Sequence, residues 1–191
     1  MKKSTIVLLS VVGVVLLLVV VCVSAYNGLV TKDENVSEKW GAVETVYQRR
    51  ADLIPNLVSA VKGYATHEQE TFLLTVEARA KGAKIDPATA TPEQIAAWQN
   101  TQDDVLKAIN LVVEAYPELK ANQNFLQFQS QLEGTENRIA TERQKYNEAV
   151  KRYNVAVRRF PTSIIASMFG FEKRGMFEAQ QGAEIAPVVQ F

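Results

Sequence analysis

Residues Phe125 to Phe160 read FLQFQSQLEGTENRIATERQKYNEAVKRYNVAVRRF. Alternating steps of three and four pick out Phe125, Phe128, Leu132, Thr135, Ile139, Glu142, Tyr146, Ala149, Tyr153, Ala156 and Phe160. Nine of these eleven positions are apolar, aromatic or Ala, and the positions between them are mostly Gln, Glu, Arg, Lys and Asn. The period predicts one amphipathic helix, roughly 54 Å long at 1.5 Å per residue. Its seam requires partner helices. The tyrosines at seven-residue spacing, Tyr146 and Tyr153, and then Phe160 are expected in a core.

Upstream, Ile6 to Ala25 is twenty residues without a charge. A helix of that length spans about 30 Å, the hydrocarbon thickness of a bilayer. Lys2 and Lys3 precede it, and Tyr26 and Asn27 close it at interface depth. Val23-Ser24-Ala25 has the small-residue form of a cleavage site, but the apolar run exceeds a signal-peptide core, so an uncleaved anchor is expected. Cys22 follows Val21 rather than the small residue of a lipobox. Lys2 and Lys3 on one flank, against Lys32 and Lys39 among Asp33, Glu34 and Glu38 on the other, favour an inside N-terminus. The expectation is a single-pass protein of the cell (inner) membrane with its bulk outside the cytoplasm.

The first soluble helix shows a seam of Leu29, Val36, Trp40, Val43, Tyr47, Ile54, Leu57, Val61 and Tyr64, with Asp33 and Arg50 in phase. The seam keeps its phase across Pro55, which argues for a kink and against an end. No Pro separates this helix from the anchor, so one continuous helix is expected. His67 to Lys84 reads as a second helix, with Phe72, Leu73, Val76 and Ala80 on one face. Thr91-Pro92-Glu93-Gln94 is a helix start: Thr caps, Pro takes the first position and Gln completes a capping box. The third helix carries Ile95, Trp98, Gln102, Val105, Ile109, Val112 and Tyr116 in one seam, and Pro117 ends it. The fold class is therefore all-α: an N-terminal transmembrane helix followed by an antiparallel up-down four-helix bundle. The expected organisation is an anchor over 1–26, a helical bundle over 27–171 and an extended or disordered tail over 172–191. Turns near Tyr64 and Ala121 set Arg50 opposite Thr135 to Glu136, and Trp40 opposite Lys145.

Several runs resemble the LemA family. They are Tyr26-Asn27-Gly28-Leu29-Val30 after the span, and Gln48-Arg49-Arg50-Ala51-Asp52-Leu53-Ile54-Pro55-Asn56-Leu57-Val58 with Val61, Gly63, Tyr64 and Glu68. Ala121-Asn122-Gln123-Asn124-Phe125, Thr135-Glu136-Asn137-Arg138-Ile139-Ala140, Tyr146-Asn147, Tyr153-Asn154 and Phe160-Pro161 complete it. The likeness covers roughly Tyr26 to Phe171, with little of it between Arg79 and Thr101; Tyr47 stands where the family leads one to expect Leu. The resemblance implies a membrane-anchored antiparallel helical bundle; it does not imply an activity, since the family is of unknown molecular function. Some members are similar to magnetosome-associated membrane proteins, and others are associated with envelope functions and membrane proteases.

Composition narrows the functions. Lys+Arg and Asp+Glu both number 21, so no bulk attraction for nucleic acid follows. One Cys and one His, His67, rule out an internal disulfide and any site needing two histidines. His67-Glu68-Gln69-Glu70-Thr71 lacks the second His of a zincin. No catalytic, cofactor-binding or metal-binding residue is expected, and the protein reads as a non-enzyme.

Three groups of residues stand out. Arg50, Asp52, Glu136 and Arg138 fall at one level of the bundle as a polar layer, structural or facing a partner. Arg50 lies in the seam and needs a carboxylate; Glu136 is the first choice and Asp52 the second. On that reading Glu136→Ala leaves Arg50 unpaired and lowers stability by a few kcal/mol. At the end returning to the bilayer stand Lys151, Arg152, Arg158 and Arg159, then Ile164, Ile165, Met168 and Phe169 in an apolar run. That run either packs onto the bundle base or meets anionic headgroups. Finally, Val189 and Phe191 with the free carboxylate have the form that PDZ-type grooves bind. The expected partners are the bilayer and a membrane or envelope protein, a membrane protease or a PDZ-type protein among them. The expected role is a non-enzymatic scaffold or adaptor; a lipid-surface binder using the basic, apolar end is the alternative.

Overall fold

A computed structural model describes residues 3–62 and 90–178. The described residues are all helical apart from turns and a final segment, 171–178, without regular secondary structure. We label the helices α1 (Lys3–Lys62), α2 (Pro92–Ala115), α3 (Pro117–Lys120), α4 (Gln123–Arg158) and α5 (Thr162–Phe169). The expected second helix, His67 to Lys84, and the C-terminal pair Val189 and Phe191 lie outside the described residues.

α1 runs without a break from the apolar N-terminal stretch through Pro55. Every Val, Leu and Ile from Ile6 to Val23 is exposed, and the stretch is long and apolar enough to cross a membrane. The chain divides into two compact units. One joins α1 up to Gly41 with Lys145–Arg174; the other joins Ala42–Gln144 with the chain from Gly175 onward.

In the second unit, the α1 positions Val43, Tyr47, Arg50, Ile54, Leu57 and Val61 are all buried, as the seam requires. Ile54, Leu57, Val58 and Val61 form one core cluster with Val105, Ala108, Ile109, Val112, Val113 and Phe125. Tyr47 meets Gln99 and Arg50 meets Asp103, so residue numbers climb together and α1 runs parallel to α2. Glu136 meets Arg50, and Arg143 meets Gln99, so α4 runs antiparallel to both. These are the directions of the first, third and fourth helices of an up-down-up-down bundle. α2 begins with the expected capping box: the Gln94 amide N–H donates to Thr91 Oγ1 at 3.3 Å, and the Thr91 N–H donates to Gln94 Oε1 at 2.8 Å. Pro117 stops α2 but opens the four-residue α3 instead of a bare turn, as a Pro at a first helical position allows.

In the first unit, Leu29 and Val36 of α1 are buried with Tyr146, Ala149, Val150 and Tyr153 of α4. The Trp40 ring packs on Tyr146 with centroids 5.0 Å apart, one residue from the expected register. The α4 seam differs at its end. The helix stops at Arg158, and Phe160 leaves the core with 77% of its surface exposed. α5 then folds back. Ile165 and Ala166 are buried with Leu29, flanked by Ala25, Ala156, Val157 and Phe171.

Candidate functional site

The polar layer is built on three helices. Arg50 is completely buried on α1. Its guanidinium pairs with Asp103 of α2, and its Nη1 stands 2.7 Å from Glu136 Oε1 of α4. That second contact is an ion pair without hydrogen-bond alignment: among the described residues Arg50 Nε and Nη1 and Glu136 Oε1 are buried and make no hydrogen bond. Asp52 and Arg138 are exposed and do not join the layer. Each lies two residues from a layer member, about 200° round a helix, and therefore on the opposite face. Asp52 accepts instead from Gln48 Nε2 at 3.0 Å.

Sequence reasoning missed Asp103. It precedes Asp104 in a run that reads as solvated surface, and only the parallel register of α1 and α2 brings it beside Arg50. Next to the layer, Tyr47 Oη donates to Gln99 Oε1 at 2.8 Å, and Arg143 Nη1 donates to the same oxygen at 3.3 Å. Arg143 also donates to the Glu178 carbonyl at 3.1 Å and lies over the Phe177 ring, 4.6 Å from its centroid. Thr135, buried in the seam, donates its hydroxyl back to the Gln131 carbonyl at 2.7 Å and so satisfies itself.

Burial raises the Glu136 carboxyl above its ordinary value; Arg50 pulls it down and the nearby Asp103 charge pushes it up. Burial pushes the Tyr47 phenol up to about 12, opposed by the Arg143 and Arg50 charges, so it stays a hydrogen-bond donor at neutral pH. Two carboxylates share one guanidinium here. The arrangement ties three helices into register and holds no nucleophile beside a base. Among the described residues no group of three or more His, Cys, Asp or Glu side chains could hold a metal ion. Above the layer, α2 lines a half-open trough of about 830 Å³, edged by Glu93, Asp103, Lys107, Arg143, Met176 and Glu178.

The second group lies in the first unit. Lys151, Arg152, Arg158 and Arg159 are exposed, and Arg152 reaches Glu148 at 3.4 Å. Of the four apolar residues singled out there, Ile164, Met168 and Phe169 are exposed, whereas Ile165 faces inward onto Leu29. The packing expected of this run holds for Ile165 and Ala166, while Ile164, Met168 and Phe169 stay exposed. Phe169 and Phe171 flank Tyr26, at centroid distances of 4.9 and 5.8 Å. Gly170 makes this possible. Its φ of 75° is left-handed backbone, and the reversal lets the Phe171 amide bond the Ala166 carbonyl at 2.9 Å. Beyond it, Asn154 brackets the Arg174 backbone, accepting from its N–H at 3.0 Å and donating to its carbonyl at 2.9 Å. The Arg174 guanidinium reaches Asp33 at 3.0 Å.

A family model described as the LemA family matches residues 39–191. The chain is 26% identical over 186 residues to magnetosome protein MamQ 2 of Paramagnetospirillum magneticum, covering 86% of this chain and 68% of that protein. It is 24% identical over 161 residues to protein LemA of Metamycoplasma hominis, covering 84% and 72%. It is 24% identical over 186 residues to magnetosome protein MamQ of Magnetospirillum gryphiswaldense, covering 86% and 68%.

Proposed function

The chain belongs to the LemA family, and from that premise we propose that it is a membrane-anchored, non-enzymatic scaffold for membrane or envelope proteins. In this reading α1 crosses the cell membrane once and the helical head stands outside the cytoplasm. The observation that carries it is the α2 trough. It is half-open, and residues of both charge signs edge it. Such an open surface suits a segment of another protein better than a small molecule, which an enclosed pocket would take. The conspicuous buried polar groups, Arg50 and Tyr47, are engaged with Asp103, Glu136 and Gln99. They keep the helices in register and leave binding to the outer faces. Relatives named as magnetosome proteins carry the name of a cellular assembly, which suits an organising role.

The test is photo-crosslinking in living cells from a benzoylphenylalanine placed at Asn100, an exposed residue lining the trough, with Asn137, exposed on α4, as control. The expected result is a discrete adduct to one membrane or envelope protein from Asn100 and none from Asn137. Equal, diffuse labelling from both positions overturns the scaffold reading.

A further inference from the structure

Phe160 and α5 carry large apolar side chains that the described chain leaves more than half exposed. Phe160 is 77% exposed, Met168 70%, Phe169 57% and Ile164 53%. Exposed apolar groups clustered in so short a stretch mark an interaction surface, and the position of this one identifies what covers it. Phe169 packs on Tyr26, the residue that follows the uncharged run Ile6 to Ala25. Ile165 and Ala166 clamp the helix to Leu29, one turn further along α1. A helix fixed to residues 25–29 lies at the depth where a bilayer-long span leaves the hydrocarbon. Arg158 and Arg159, both exposed, directly precede Phe160, so cations adjoin the apolar stretch in the chain, as an interfacial segment on anionic headgroups requires.

We propose that α5 is an interfacial foot: Phe160, Ile164, Met168 and Phe169 enter the headgroup–acyl boundary of the leaflet from which α1 emerges, and Arg158 and Arg159 contact its phosphates. The foot rests on α1 being the anchor and is independent of the scaffold role. It gives the membrane a second point of attachment beside the span, which fixes how α1 is rotated and tilted where it exits.

The test uses the full chain in Cys22→Ser background, reconstituted into vesicles of phosphatidylcholine and phosphatidylglycerol containing spin-labelled phosphatidylcholine. An environment-sensitive fluorophore is attached at Met168→Cys, at Val14→Cys inside the apolar run, or at Glu34→Cys, exposed on α1 about 12 Å beyond Tyr26. Lipid quenching at Met168 should approach that at Val14 and exceed that at Glu34 by about threefold or more. Quenching at Val14 with Met168 indistinguishable from Glu34 overturns the foot while leaving the anchor in place. Loss of quenching at Val14 as well removes the anchor, and the foot with it. A disulfide forming between unlabelled Met168→Cys copies, with no lipid quenching in the labelled sample, assigns the face to a second copy and also overturns the proposal. With the fluorophore moved to exposed Ser167→Cys, the pair I164N/M168Q should bring quenching down to the Glu34 level. The melting temperature in detergent should not move, because both side chains are already outside the core.

Discussion

Arg50 Nη1 and Glu136 Oε1 stand 2.7 Å apart between α1 and α4, and Asp103 of α2 holds the same guanidinium. The second carboxylate changes what deletion should cost. With one acid removed, the buried Arg50 still has the other. Glu136→Ala and Asp103→Ala should therefore each lower stability by only about 1 kcal/mol. The double variant leaves the charge buried and unpaired and should cost about 3–5 kcal/mol. Thermal unfolding of the four proteins in detergent micelles gives the cycle; additive single effects would show that the acids do not share Arg50.

The same cluster sets a pH dependence. Burial raises the Glu136 carboxyl above its ordinary value of 4.5 against the pull of Arg50, and the Asp103 charge adds to the rise. In the window above 4.5 the native state keeps a proton that the unfolded chain has released. The stability this contributes is complete below that pH and is lost as pH climbs through the folded value. Glu136→Gln cannot lose the proton, so the stability of the variant relative to the parent should rise between pH 4 and pH 7. Asp103→Asn removes the like charge and should bring the Glu136 pKa down. Carboxyl carbon NMR titration reads that directly, and an unmoved Glu136 would exclude coupling to Asp103.

The seams that periodicity exposes are the ones that pack: Leu29 to Val61, Ile95 to Val112 and Phe125 to Tyr153 carry the cores of the two units. Thr91 and Gln94 announce the start of α2 because a cap is a local interaction. The pairing of Arg50 with Glu136 follows from equal rise between two antiparallel helices. Asp103 was hidden because its role depends on a register between α1 and α2 that no local pattern encodes. Asp33 is similar. It falls in phase in the α1 seam as an unexplained charge, and its partner proves to be Arg174, far along the chain in a segment without any period. Phe160 fails in the other direction: its phase is right, but the helix ends two residues before it.

Gly170 holds the turn that returns Phe171 to Tyr26. Its φ of 75° lies where other residues are strained, and a Cβ there would meet nothing within 4 Å, so the cost of substitution is backbone strain alone. Gly170→Ala should destabilise the turn by about 1 kcal/mol, and Gly170→Asn by less. The Phe171 amide, bonded to the Ala166 carbonyl, should exchange its hydrogen about fivefold faster in the Ala variant. An unchanged rate would mean that the turn is held by the ring contacts of Phe171 and not by its backbone.

The charges next to the span predict which side the head occupies. Lys2 and Lys3 precede the apolar run, while the bases that follow it, Lys32 and Lys39, are set among Asp33, Glu34 and Glu38. Basic residues close to a span are retained in the cytoplasm, so the N-terminus should be inside and the head outside. Glu114 is exposed on α2. In Cys22→Ser background, Glu114→Cys should react with a membrane-impermeant maleimide in intact cells as completely as after lysis. Reaction only after lysis would place the head in the cytoplasm. Arg158 and Arg159 would then face the anionic inner leaflet, where each basic residue at the surface gains about 1 kcal/mol, and the partners to seek would be cytoplasmic.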